Sequence, residues 1–230
     1  MTLPEDVVVT WLLNAAPDPQ RGVHLPASVD TIGELRRSVH AHGRHLVVLH
    51  DCLAADDDER TTFVRVEPGG NPYWRRWELV VDYLLRPDVF DAVRKVWCVD
   101  GTDVEMVTDP FPHMDMGTLY VGSEDAFLGQ PVDGGTPTWL RNHCPSVARW
   151  LERHADLPVL NVGTVGGSAG TVLELAVALA DHEPWGDDYE MGVFNLLVRE
   201  RWAGRFVTGF PVHTPFLRNE RTPGAWWRHK

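Results

Sequence analysis

Val96-Trp97-Cys98-Val99-Asp100-Gly101-Thr102-Asp103-Val104-Glu105-Met106-Val107 is the stretch on which the reading of this chain turns. From Val93 to Val99 apolar residues dominate and alternate, which predicts a short buried strand. The strand runs into two acids, Asp100 and Asp103, separated by Gly101 and Thr102. Glycine supplies the backbone freedom for a sharp turn, and such a turn aims both carboxylates at one point beyond the strand's carboxyl end. In open α/β sheets that edge is where ligands bind. Two hard oxygen donors there suit Mg²⁺ or Mn²⁺ carrying a phosphate. The same residues also suit a plain polar turn in which Asp100 caps whatever follows.

Working outward from this stretch, the chain alternates strands with helices. Val7 to Leu13 is a short apolar run and predicts a buried first strand. The segment from Asn14 to Pro26 is loop, placed where a nucleotide base would sit after a first parallel strand. Ser28 or Asp30 caps a helix to about Ala41, with Ile32, Leu35 and Val39 as its buried stripe and Gly43 as its stop. Strands follow at His45 to Leu49 and Thr62 to Val66, with a solvated acidic loop between them. Trp74, Trp77, Val80 or Val81, and Leu84 recur at helical spacing and predict a helix over 73–85 with Pro72 in its first turn. Arg75 and Arg76 fall in that first turn, where the helix dipole disfavours cations. A nearby anion would compensate, or both are simply solvated beside Glu78 and Asp82. Thr118 to Val121 predicts a fifth strand near the sheet edge, 122–145 is loop-rich, and 145–154 predicts a helix. Such alternation is the signature of a parallel sheet with helices on its faces.

Length and composition narrow the classes. The 230 residues, 43% of them hydrophobic and 23% charged, predict one domain over 1–230. No run of about twenty apolar residues is present, so no membrane span is expected. The start, Met-Thr-Leu-Pro-Glu-Asp, lacks the pattern of a signal peptide. Cys52, Cys98 and Cys144 are odd in number and widely spaced, which fits a reducing cytoplasm rather than a disulfide framework. A net charge of -12 argues against nucleic acid as a partner. It leaves a nucleotide open, because a divalent ion bridging carboxylates to a diphosphate reverses the local sign.

Two further constellations lie downstream. Val159 to Gly167 is an apolar strand flowing into a turn rich in glycine (Gly163, Gly166, Gly167), with a helix expected over 170–182. Glycines let backbone N–H groups approach a ligand, although a close helix–strand contact needs them equally. This turn lacks the Lys-Ser/Thr of a P-loop and the spacing of a dinucleotide fingerprint. Gly186-Asp187-Asp188-Tyr189-Glu190 opens a helix expected over 189–202. Acids at a helix start are ordinary caps, and they are also placed to orient an acceptor hydroxyl or act as a base. Finally, a strand over 206–212 ends at His213, whose imidazole would offer a nitrogen ligand to Mn²⁺.

Taken together, these pieces resemble a GT-A type glycosyltransferase, and most nearly the glycosyltransferase domain of the collagen-modifying lysyl hydroxylases and related bacterial proteins. Val99-Asp100-Gly101-Thr102-Asp103-Val104 is similar to that family's variant of the DxD metal motif, with one extra residue between the acids. Leu160-Asn161-Val162-Gly163 resembles its Leu-Asn-x-Gly turn, and Gly186-Asp187-Asp188 its Asp-Asp-Gln segment. His213 takes the place of its C-terminal metal histidine. The resemblance runs from about Val7 to Phe216. It departs at Tyr189, which replaces the Gln, and in the shortness of the chain, so collagen is not implied as a substrate.

The resemblance implies a Rossmann-like, mixed and mainly parallel sheet flanked by helices. It also implies metal-dependent transfer of a sugar from a nucleotide-diphosphate sugar, a UDP-sugar in the first instance, to a small-molecule or glycan acceptor. Asp100, Asp103 and His213 would hold Mn²⁺ or Mg²⁺. Arg75 or Arg76 would face the phosphates, with Gly101 and Thr102 in the same motif. Asn161 and Gly163 would line the sugar, and Asp187 or Asp188 would orient sugar or acceptor. Two other readings stay open: a catalytically silent nucleotide- or glycan-binding protein, and a Mg²⁺-dependent phosphatase. The second is weakened because Cys98 stands where that motif needs its nucleophilic aspartate. Homo-oligomer formation is left open, as is the Trp- and Arg-rich tail over 217–230, whether acceptor lid, oligomer contact or flexible end.

Overall fold

The computed structural model describes residues 3–130, 135–182, 189–214 and 220–230. The first half of the chain runs β1 (Asp6–Leu12), a 3-10 turn (Val29–Ile32), α1 (Gly33–Ala41), β2 (His45–His50), β3 (Thr61–Arg65) and α2 (Pro72–Leu84). It continues through a short α3 (Pro87–Phe90) to β4 (Lys95–Val99) and β5 (Val104–Met106). The second half holds β6 (Leu119–Phe127), α4 (Thr136–His143), α5 (Ala148–Arg153), β7 (Pro158–Ser168), α6 (Ala169–Ala180) and α7 (Glu190–Arg201). Three short strands close it: β8 (Phe206–Val207), β9 (His213–Thr214) and β10 (Trp227–His229).

Seven strands form one mixed sheet in the order β3-β2-β1-β4-β7-β6-β8, and β5, β10 and β9 form a second, small sheet. β1, β2, β3 and β4 are mutually parallel, β7 runs antiparallel to both β4 and β6, and β8 is parallel to β6. The alternation read from the sequence sets the two faces. Val96 and Cys98 of β4 join one core cluster with α2, α6 and α7. Trp97 and Val99 join the other, with α1 and the tryptophans of the C-terminal segment. A strand covered on both faces is apolar at nearly every position, which is why β4 runs Val96-Trp97-Cys98-Val99 and β1 is interrupted only at Asp6 and Thr10.

Local signals explain the helix starts. Ser28 accepts from the backbone N–H of Asp30, and Asn71 caps α2 by accepting from Tyr73 N–H with Pro72 next in line. Ser168 caps α6 through Thr171 N–H.

Several expectations differ from the structure, among them the loop-rich reading of 122–145, where α4 forms. The glycine-rich segment after Val159 is no turn, because β7 continues through Gly163, Gly166 and Gly167 to Ser168. At Gly166 a Cβ would overlap the Trp97 ring, so this glycine admits the largest side chain of the neighbouring strand. The fifth strand extends past Val121 to Phe127, through register shifts at Val121/Gly122 and Ser123/Phe127. The strand expected over 206–212 splits: β8 ends at Val207, Gly209 takes φ 79°, and Pro211 has no N–H for a ladder. The chain then enters the small sheet at His213. Among the described residues no helix is long and apolar enough to cross a membrane.

Candidate metal centre

β4 lies in the middle of the large sheet, so its carboxyl end opens onto a cleft between β1 on one side and β7 and β6 on the other. The turn that follows is fixed on three sides. Thr10 donates its hydroxyl to Val99 O at 2.8 Å, tying β1 to β4. Asp100 N–H donates to Gly163 O at 2.9 Å, tying the turn to β7. Gly101 is needed for space rather than for an unusual backbone angle, since a Cβ there would stand 2.7 Å from Ile32 Cγ2 and 2.9 Å from Thr10 Oγ1.

Asp100, Asp103 and His229 meet at this point, each offering one ligand atom, and all three atoms lie within 4.8 Å of one another. His229 Nε2 is 3.9 Å from Asp100 Oδ2 and 3.7 Å from Asp103 Oδ1. Asp103 Oδ1 is buried with no hydrogen-bond donor in reach among the described residues. A buried carboxylate oxygen without a donor is costly, and a cation at the cluster would remove that cost. Two carboxylate oxygens and an imidazole nitrogen form a donor set suited to Mn²⁺, and with water to Mg²⁺. Gly163 makes the approach feasible: a Cβ there would stand 2.6 Å from Asp100 Oδ2 and overlap the His229 ring.

Arg76 underlies the cluster. Its guanidinium is buried, donates to Asp100 Oδ1 at 2.8 Å, and pairs on its other side with Glu190, the first residue of α7. It lies over the faces of Trp11, Tyr73 and Trp77, with Cζ 4.9, 5.5 and 5.7 Å from the ring centroids. Burial pushes the Asp100 carboxyl above the usual range, with the charge of Asp103 adding to it, and Arg76 offsets only part of this. Burial raises Asp103 as well, but His229 and Arg21 outweigh it and hold that carboxyl below the usual range. The two acids of one turn are therefore held in opposite senses by their neighbours.

The cleft above has a cavity volume of about 130 Å³ and is open to solvent on one side. One wall comes from the segment after β1 and the start of α2, including Arg21, Tyr73 and Arg76. The other comes from β6, α4, β7 and α7, with Glu124, Trp139, Asn161, Glu190 and Met191. Asn161 is held at both ends: its amide donates to Glu124 Oε1 at 2.9 Å, and its carbonyl accepts from Gly163 N–H at 2.8 Å. Burial raises the Glu124 carboxyl above its ordinary value despite that hydrogen bond.

The expected site residues are distributed as follows. Asp100, Gly101, Thr102, Asp103, Asn161 and Arg76 line the cleft. Gly163 is a packing position beneath the cluster. Arg75 points outward to Glu78 at 2.5 Å and does not line the cleft. Asp187 and Asp188 lie outside the described residues.

His213 is not brought to the acids. Its Nε2 accepts from the N–H groups of Ser123 (2.9 Å) and Gly209 (3.1 Å), and its Nδ1 is 2.8 Å from Thr214 O. Burial lowers its pKa, so the ring is kept neutral with both nitrogens engaged, which leaves no lone pair for an ion. His229, two residues beyond the Trp227 that pairs with His213, stands at the cluster instead. No local motif in the Trp- and Arg-rich tail marked it. Arg21 and Glu124 carried no local motif, and Glu190 stood in the acidic helix-start segment without being singled out. Cys98, where a phosphatase would need its nucleophile, is fully buried in β4 with its thiol pushed up to about 12.

Compared with protein-family models and with curated proteins, the sequence matches none.

Proposed function

We propose that this chain is a metal-dependent glycosyltransferase of the GT-A type, moving a sugar from a nucleotide-diphosphate sugar, a UDP-sugar in the first instance, to a small-molecule or glycan acceptor. The observation that carries the reading is the convergence of Asp100, Asp103 and His229 at the carboxyl end of the central strand, on the floor of the cleft. The mixed, mainly parallel sheet and the motif resemblance around Asp100 and Asn161 support it.

In this reading Asp100, Asp103 and His229 hold Mn²⁺ or Mg²⁺. An ion held there would supply positive charge next to the donor's diphosphate. Arg76 keeps Asp100 oriented and, through Glu190, ties the cluster to the start of α7. Asn161, immobilised by Glu124 and Gly163, presents a fixed amide edge to the sugar. Met191 and Trp139 add apolar surface to the same wall, which limits access of water to the sugar carbon.

The test is release of UDP from UDP-sugars without acceptor, with Mn²⁺ and with chelator. The reading expects slow release that needs the metal and falls at least about tenfold in Asp103→Asn. Release that ignores chelator, or phosphate release from monoesters in its place, would sink it.

A further inference from the structure

Two arginines line the cleft among the described residues, and their circumstances differ. Arg76 is fully committed, with carboxylates on both sides and only 4% of its side chain exposed. The Arg21 side chain is 46% exposed, and its one ion pair among the described residues is a long contact, Nη2 to Asp103 Oδ2 at 3.4 Å. Its backbone, by contrast, is fixed. Asp18 Oδ1 accepts from the N–H groups of Gln20 (2.9 Å) and Arg21 (2.8 Å), and Gly22, at φ 67°, donates to Asp18 O at 2.7 Å. Tyr73 of α2 donates its hydroxyl to the same Asp18 oxygen at 3.3 Å. A flexible cation thus stands on a held loop at the rim, touching the acid whose other oxygen lacks a donor.

Charge gives this contact a direction. The two acids match a divalent ion, and a diphosphate then brings further negative charge into the cleft. Arg76 is shared between Asp100 and Glu190, so Arg21 is the half-exposed cation left to meet it.

We propose that Arg21 holds the place of the metal at Asp103 and exchanges that acid for the donor's diphosphate when the ion binds. This rests on the reading of the cleft as a metal–nucleotide site. The exchange replaces one weak, half-exposed pair with charge-assisted hydrogen bonds from a planar fork that matches phosphate oxygens. Arg21 is then a diphosphate ligand in the loaded protein and a competitor of the metal in the empty one.

Opposite signs in two binding constants test this. Calorimetry would measure Mn²⁺ alone, and UDP in saturating Mn²⁺, for wild type, Arg21→Ala and Arg21→Lys. Arg21→Ala is expected to bind Mn²⁺ alone about 1.5- to 5-fold more tightly, since an exposed competing pair is removed. The same variant is expected to bind UDP about tenfold or more weakly, since charged hydrogen bonds are lost. Arg21→Lys restores part of the UDP affinity but not the fork. If wild type binds UDP with Mn²⁺ while Arg21→Ala moves both constants the same way, or neither, the exchange is wrong and the nucleotide reading stands. If wild type shows no Mn²⁺-dependent UDP binding, the nucleotide reading falls and the role of Arg21 with it. An unchanged thermal midpoint of the ligand-free variants confirms that the loop is intact.

Discussion

The imidazole of His229 stands 3.7 Å from Asp103 and 3.9 Å from Asp100, whereas that of His213 is consumed by Ser123, Gly209 and Thr214. Both histidines are buried in the small sheet, and only their neighbours distinguish them. Substituting each in turn separates a ligand from a packing group. His229→Ala is expected to weaken Mn²⁺ binding about tenfold or more while the fold survives. His213→Ala is expected to keep Mn²⁺ affinity and lose roughly 1–3 kcal/mol of stability, because it strands buried backbone N–H groups. Mn²⁺ titration followed by water-proton relaxation, beside thermal melts, reads both. The reverse pattern would return the ligand role to His213. Before the structure, position near the chain's end and a preceding strand favoured His213, and neither property reports what a ring nitrogen is bonded to.

At the scale of elements, β4 and β7 decide the site. The strand of β4 and the acids beyond it were legible because a short apolar run followed by a polar turn is a local signal. The helices α1, α2 and α6 were legible from caps and apolar spacing, within a residue or two at most ends. β7 was legible as a strand only to its first glycine. A glycine needed for a turn and one needed to admit a neighbour's side chain look alike in sequence; the pairing of Gly166 with Trp97 settles which it is here. The orientation of Arg76 inward and Arg75 outward likewise depends on where α2 packs. Helical spacing leaves that choice open when the first turn carries two adjacent arginines.

Two glycines of β7 give the prediction at this scale. Gly163→Ala puts a methyl against Asp100 and His229, and Gly166→Ala puts one into the Trp97 ring. Overpacking of either kind costs about 1–3 kcal/mol. Gly163→Ala should in addition weaken Mn²⁺ binding, whereas Gly166→Ala should leave it unchanged in the folded protein. Equal Mn²⁺ affinity in the two variants would show that Gly163 does not support the cluster.

For the whole molecule, the large sheet and the small sheet cooperate: the first supplies Asp100 and Asp103 from the end of β4, and the second supplies His229 from β10. The small sheet joins residues far apart in sequence, since β5 pairs with β10 through Met106 and Trp227. Trp97, Trp226 and Trp227 pack together between the sheets, with Trp97 5.3 Å from Trp227 between ring centroids. Several of the ten tryptophans are thus core, and the tail left open between acceptor lid, oligomer contact and flexible end contains a strand beside the cluster. Long-range pairing of this kind leaves no periodic trace in a single sequence, which is why the third member of the cluster was not read from it. The net charge of -12 is compatible with a nucleotide ligand because the cluster reads as a cation site at the cleft floor.

Because the cluster ties both sheets together, occupation of the cleft should register in the stability of the entire chain. The most direct measurement is the thermal midpoint of the wild-type protein with UDP and Mn²⁺, compared with UDP and chelator. A ligand present at about one hundred times its dissociation constant stabilises the native state by roughly 2.7 kcal/mol, a rise of several degrees for a chain of this size. A rise with Mn²⁺ that disappears with chelator is the predicted result. Identical midpoints in the two conditions would contradict the assignment of Asp100, Asp103 and His229 as a metal–diphosphate centre.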